Sequence, residues 1–131
     1  MSQDDLIRAT YKAWSEADLE GLLETLDPEV VFRTSGTFPD VAPVYRAHDG
    51  MREFWEDFRA PWEWVEIQVE RIVQGDDCAA IGVRFRSRGR GSGVMTDLRQ
   101  GHALRFKNDR IVEVWTNASF EQALEAVGLS E

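Results

Sequence analysis

Apolar residues recur at helical spacing in three places before residue 60 and alternate with polar ones in four runs after it. Residues 4–17 put Leu6, Ile7, Tyr11 and Trp14 on one face, with Asp4 and Asp5 in the first turn, where the helix dipole favours acids. Ala17-Asp18 interrupts this pattern. Asp18 then starts a second short helix through Leu19, Leu22, Leu23 and Leu26, closed by Asp27-Pro28. Val30 to Thr34 predicts a short strand, and Ser35-Gly36 with Pro39 and Pro43 predicts a loop. Met51, Phe54, Trp55 and Phe58 follow the i, i+3, i+4, i+7 spacing of a third helix, with Asp49-Gly50 at its start and Pro61 just past its end.

From Trp64 to about Ala118 the chain predicts four long antiparallel strands, separated at Gly75-Asp76-Asp77, Gly89 to Gly93, and Asn108-Asp109. Side chains alternate along a strand, so Ile81, Val83 and Phe85 face one way while Gly82, Arg84, Arg86 and Arg88 face the other. Leu98, His102, Leu104 and Phe106 share a parity, and Asp97 and Arg99 take the opposite one unless Gly101 marks a bulge that changes the register. Val112, Val114 and Thr116 oppose Glu113, Trp115 and Asn117. Ser119 predicts the cap of a closing helix, Phe120 to Val127, ended by Gly128. The order describes an α+β domain spanning residues 1–131: three N-terminal helices packed on a strongly curved antiparallel sheet, with a short C-terminal helix. Such a cone encloses a cavity, and chemistry is expected among its inward residues.

Composition narrows the classes. A chain of 131 residues that is 43% hydrophobic, with five Trp and 30% charge, is too apolar for disorder and suits one globular domain. No apolar run approaches the roughly 20 residues of a membrane helix, and the start lacks a secretion-signal layout, so a cytoplasmic protein is expected, without membrane contact. One cysteine, Cys78, forbids an internal disulfide, and with only His48 and His102 a Cys/His zinc site cannot be assembled. Neither a metal nor a cofactor is expected. Fifteen Lys and Arg against 24 Asp and Glu give a net charge of −9, which argues against nucleic acid as a partner. That charge is uneven: residues 1–30 carry eight acids and two bases, residues 84–110 eight bases and two acids.

Several segments carry a family resemblance: Ala17-Asp18-Leu19-Glu20-Gly21-Leu22-Leu23 through Leu26-Asp27-Pro28-Glu29-Val30-Val31-Phe32, Tyr45-Arg46 through Gly50-Met51-Arg52-Glu53-Phe54-Trp55, Phe106 to Val112, and Ala123 to Leu129. In this order they resemble a SnoaL-like (polyketide cyclase-like) protein of the nuclear transport factor 2-like superfamily. The same superfamily includes ketosteroid isomerases, scytalone dehydratases and limonene-epoxide hydrolases. The resemblance implies a cone-shaped fold with an internal pocket. It does not imply a ketosteroid isomerase, which needs a carboxylate base and a Tyr with a neutral Asp at its oxyanion. Thr34 falls where the base would sit, His102 at the oxyanion Asp, and Thr10 at the Tyr with Tyr11 beside it. The Asp-Arg-Asp arrangement of limonene-epoxide hydrolases finds two of its residue types in Asp97-x-Arg99, which a bulge near Gly101 would bring into the cavity with His102.

His102 is the leading candidate for proton chemistry, because imidazole titrates near neutrality and sits here on an inward strand position; a buried structural His is the competing reading. His48, before the third helix, fits a capping or surface role. Tyr11, Trp14, Thr34, Phe54, Trp55, Phe58, Phe85 and Leu104 are expected as core and pocket wall together, with Tyr11 and Trp55 favoured as ligand contacts for their polar groups. Arg84, Arg86, Arg88 and Arg90 form a row on the outer sheet face, paired across it with Glu66, Glu70 and Glu113, or meeting a twin in a homodimer. Two functions follow. One is a cofactor-independent cyclase, isomerase or hydrolase acting on a small, largely apolar oxygenated molecule, with His102 and Asp97 in the chemistry. The other is a non-catalytic ligand-binding or dimerisation module of the same fold.

Overall fold

Ser2 opens α1 (Gln3–Ser15) by accepting the Asp5 backbone N–H on its Oγ at 3.1 Å, with Asp4 and Asp5 filling the first turn. The helix buries Leu6, Ile7, Tyr11 and Trp14 as their spacing predicts, and ends before Ala17, whose φ of +57° no α-helix continues. Asp18 caps α2 (Leu19–Thr25), its carboxylate accepting the Gly21 N–H at 3.0 Å. The computed structural model describes residues 2–34 and 41–131, so the loop expected at Ser35-Gly36 and Pro39 lies outside the described residues.

Leu26 belongs to β1 (Leu26–Arg33) rather than to the second helix, and the strand expected at Val30 starts four residues earlier. Its register against its neighbour shifts between Leu26 and Val31, around Pro28, which has no N–H to give a ladder. A short edge strand, β2 (Val44–Arg46), stands where loop alone was expected. It leads into α3 (Ala47–Arg59), which has no side-chain cap at Arg46. Then follow β3 (Trp62–Gln74), β4 (Cys78–Gly89), β5 (Met95–Lys107), β6 (Arg110–Asn117) and α4 (Phe120–Val127). The sheet order is β2-β1-β6-β5-β4-β3, antiparallel throughout except that β1 runs parallel to β6. Asn108 and Asp109, at φ +52° and +62°, form the two-residue turn between β5 and β6, a geometry that matches the twist of the strands it joins.

The β4–β5 ladder runs unbroken from Cys78 opposite Arg105 to Arg88 opposite Met95. Gly101 is therefore not a bulge, which corrects the expectation that it could change the register; the shifts fall in β3 and between Arg105 and Phe106. Its glycine serves a close approach instead: a Cβ there would lie 2.2 Å from the Ser119 carbonyl oxygen. α4 thus packs directly on the back of the sheet, where Ala80 and Ala103 meet Ala123 and Leu124 in a small second core. Ser119 caps α4 through the Gln122 N–H, and Gly128 at φ +71° ends it.

The main core lies on the other face, between α1, α2, α3 and the concave side of the sheet. Ile81, Val83 and Phe85 are all at most 1% exposed there, as the strand parity predicts. Trp14 joins α1 to α3 by meeting Phe54 and Phe58 edge-on at 5.7 and 5.6 Å between ring centroids. Such edge-to-face pairs contribute about 0.5–1.5 kcal/mol beyond the area they bury.

Candidate functional site

The helices α1, α2 and α3 and the strands β1, β3, β4, β5 and β6 converge on a cavity of about 40 Å³ inside this core. Trp14 of α1, Met51, Phe54 and Phe58 of α3, and Phe32, Ile67, Phe85, Leu104 and Val114 of the strands make most of its wall. The remaining lining includes a few polar residues: Thr10 and Tyr11 of α1, Gln100 and His102 of β5, and Thr116 of β6. No acidic or basic chain other than His102 lines it among the described residues.

The phenol of Tyr11 and the imidazole of His102 form the centre of the polar group, with Oη 2.6 Å from Nδ1 and the rings nearly parallel. Burial drives both toward their neutral forms: it pushes the Tyr11 hydroxyl far above its ordinary value and His102 down to about 4. Thr10 and Thr116 are committed to backbone, their hydroxyls donating to the Leu6 and Thr34 carbonyls, each at 2.7 Å. Thr10, at the position the isomerase resemblance gives to Tyr, closes on its own helix, and the neighbouring Tyr11 reaches the cavity.

The structure brings Tyr11, Trp14, Phe54, Phe58, Phe85, Leu104 and His102 to one cavity and leaves three expected residues outside it. Asp97 is corrected to the outer face. With no bulge at Gly101 its parity opposes that of His102, and it binds Arg84 through two hydrogen bonds of 2.9 and 2.6 Å, which hold its carboxyl below the usual range. Trp55 stacks on Trp14 at 5.0 Å and carries the Arg59 guanidinium at 4.8 Å, on the far side of the aromatic wall. Thr34 is buried at the end of β1 with its hydroxyl on the Ala42 carbonyl at 2.7 Å. His48 is structural, its Nε2 lying 3.0 Å from the Leu26 carbonyl oxygen. Sequence reasoning missed Gln100, although its parity with His102 was available to find it.

The outer arginines are paired within the chain: Arg84 with Asp97, Arg86 with Glu66, Arg88 with Glu63, and Arg99 with Glu70. Arg90 leaves the row, because it lies beyond β4 and donates to the Ala60 and Trp62 carbonyls. Glu113 pairs with Arg33 and Arg105 instead of the row. Among the described residues no cluster of three His, Cys, Asp or Glu could hold a metal, and no helix is long and apolar enough to cross a membrane.

The wall is apolar and its few polar groups are neutral, so the chemistry this cavity offers is hydrogen bonding rather than charge. The SnoaL-like domain family matches residues 7–114, and the chain belongs to it. No match is found among curated proteins. Among solved structures it is similar to a nuclear transport factor 2-like protein of unknown function from Burkholderia pseudomallei, at 20% identity and TM-score 0.82, covering 95% of this chain and 97% of that one. It is also similar to TerC, crystallised with polyporic acid, at 16% identity and TM-score 0.78 over 93% and 97% of the two chains. IdmH, a candidate polyketide cyclase from Streptomyces antibioticus, is similar at 23% identity and TM-score 0.74 over 98% and 100%. These likenesses establish a nuclear transport factor 2-like fold.

Proposed function

We propose that the protein binds a small, largely apolar oxygenated molecule in the cavity and acts on it as a cofactor-independent cyclase, isomerase or hydrolase, with His102 managing the proton at the ligand oxygen. The observation that carries this is the Tyr11 Oη to His102 Nδ1 contact of 2.6 Å, a buried polar pair in a wall that is otherwise apolar and aromatic. Holding an imidazole this way costs burial of two polar groups, which a plain core would avoid. The family and the fold shared with IdmH support a polyketide-like ligand class, and TerC shows a scaffold of this fold crystallised with polyporic acid. The cavity, at about 40 Å³, is well below the roughly 300–1,000 Å³ of ordinary ligand pockets, so admission requires lining side chains to move. Among the lining residues Met51 is the unbranched, adaptable one.

The test is turnover across a panel of aromatic ketones and cyclic β-diketones by wild type and His102→Ala. Loss of at least a hundredfold is expected for each substrate turned over, and unchanged turnover would reject the role of His102. The absence of a carboxylate among the described lining residues favours a second reading, a non-catalytic carrier. It predicts that ligand is recovered unaltered after long incubation with stoichiometric protein. Self-association through the outer face rests on Trp64 and Met95, which flank Arg88 in one transverse row and are exposed. Sedimentation of Trp64→Glu should then show a monomer where wild type shows a dimer.

A further inference from the structure

His102 and Gln100 stand on the same face of β5, two residues and therefore about 6.7 Å apart along the strand. Gln100 is only 6% exposed, and among the described residues nothing hydrogen-bonds its carboxamide. It lies between His102 and Leu98, which is 37% exposed, and so occupies the buried position next to the solvent end of the inner row. The carboxamide is not among the fully buried polar atoms left without a partner, so it stays within reach of a small molecule, and a ligand oxygen arriving there would take the hydrogen bond otherwise left to water.

The protons of the neighbouring pair can be placed. Tyr11 carries a phenolic hydrogen, and the one acceptor it meets among the described residues is Nδ1 of His102. Were Nδ1 protonated, it would donate to Oη and leave the buried phenol hydrogen with no acceptor. Tyr11 therefore donates, Nδ1 accepts, and the ring hydrogen is on Nε2, which no described residue engages. A neutral imidazole in this tautomer is a donor and cannot act as a base through Nε2.

We propose that Gln100 and the Nε2–H of His102 form a two-point anchor selecting uncharged ligands that carry two oxygen atoms about one meta-substituted ring apart, the first a carbonyl held by His102. This rests on the cavity being a ligand site, as proposed above, and adds to it the ligand class, a specificity-determining residue and the direction of the His102 hydrogen bond. Carboxylates are excluded by the same surroundings, since no Lys or Arg lines the cavity among the described residues to repay the desolvation of an anion.

The experiment uses the full chain and three single-ring probes, 3-hydroxyacetophenone, acetophenone and 3-hydroxybenzoate, with calorimetric titration of wild type and Gln100→Leu. The anchor predicts that Gln100→Leu weakens 3-hydroxyacetophenone about tenfold and acetophenone less than twofold. It also predicts that wild type binds 3-hydroxybenzoate at least tenfold more weakly than 3-hydroxyacetophenone. Equal losses for the two ketones, or none, would overturn the anchor while leaving the cavity as a ligand site. Binding of no probe by wild type would overturn the ligand site and the anchor with it. Long-range ¹⁵N–¹H correlation spectra of the free protein report the ring directly: Nε2 protonated with Nδ1 bare is expected for His102, and the reverse overturns the donor assignment. Tyr11→Phe, which keeps the ring, should redistribute that tautomer, a change that mere loss of packing would not produce.

Discussion

The two faces of the β4–β5 ribbon share a backbone and differ in nearly everything else. Arg84 and Phe85 are chain neighbours, yet one pairs with Asp97 in solvent and the other is 1% exposed against the aromatic wall. Asp97 and His102, five residues apart on β5, were the two candidates for chemistry, and their surroundings act on them by different means. On the outer face a guanidinium keeps a carboxylate charged; inside, loss of water makes an imidazole neutral. The lesson is that strand parity, more than residue type, decides which ionisable groups are available for work in the dark interior.

Phe85→Ala should break the inner face most severely. Truncating a fully buried Phe costs about 3–5 kcal/mol, measured as a lowered urea midpoint with little change in slope. The next effect is set by pH. His102 in the folded chain binds its proton near pH 4, below the ordinary value of about 6.5 in the unfolded chain, so acid favours unfolding. Its contribution is fully present above about pH 6.5, is lost as the pH falls toward 4, and levels off below. The loss is of order 3 kcal/mol, read as the wild-type stability curve minus that of His102→Gln, which should lack this slope. Smallest is Arg84→Ala. Its pair is solvated, so the urea midpoint should stay close to wild type and any difference should shrink in 1 M salt. A loss rivalling that of Phe85→Ala would end the contrast between the faces.

The three amphipathic helices and the four long strands were legible because each carries a strong period and its own stop signals, such as Ala17-Asp18, Pro61 and Asn108-Asp109. Leu26 was assigned to the helix before it because its spacing fits helix and strand alike, and what decides is pairing with Ile111 across the sheet. β2 has three residues, too few for any period to register. Within the site, Tyr11 and His102 could be named from parity, but not their contact, which spans 91 positions of sequence and depends on how α1 crosses β5. Trp55 and Thr34 were misplaced for a related reason. One face of a helix, or one end of a strand, extends beyond the cavity it borders, and sequence spacing does not say where the cavity stops.

Gly101 gives β5 a property that belongs to neither face alone. With no side chain at that point, the start of α4 bears directly on the backbone, one residue from Gln100 and one from His102. The helix is a backstop: whatever presses on the two inward groups from the cavity is resisted through a single thickness of strand by the C-terminal end of the chain. Events at that end, a cut or a modification that lifts α4, would therefore be felt at the cavity wall without any change to a residue that lines it.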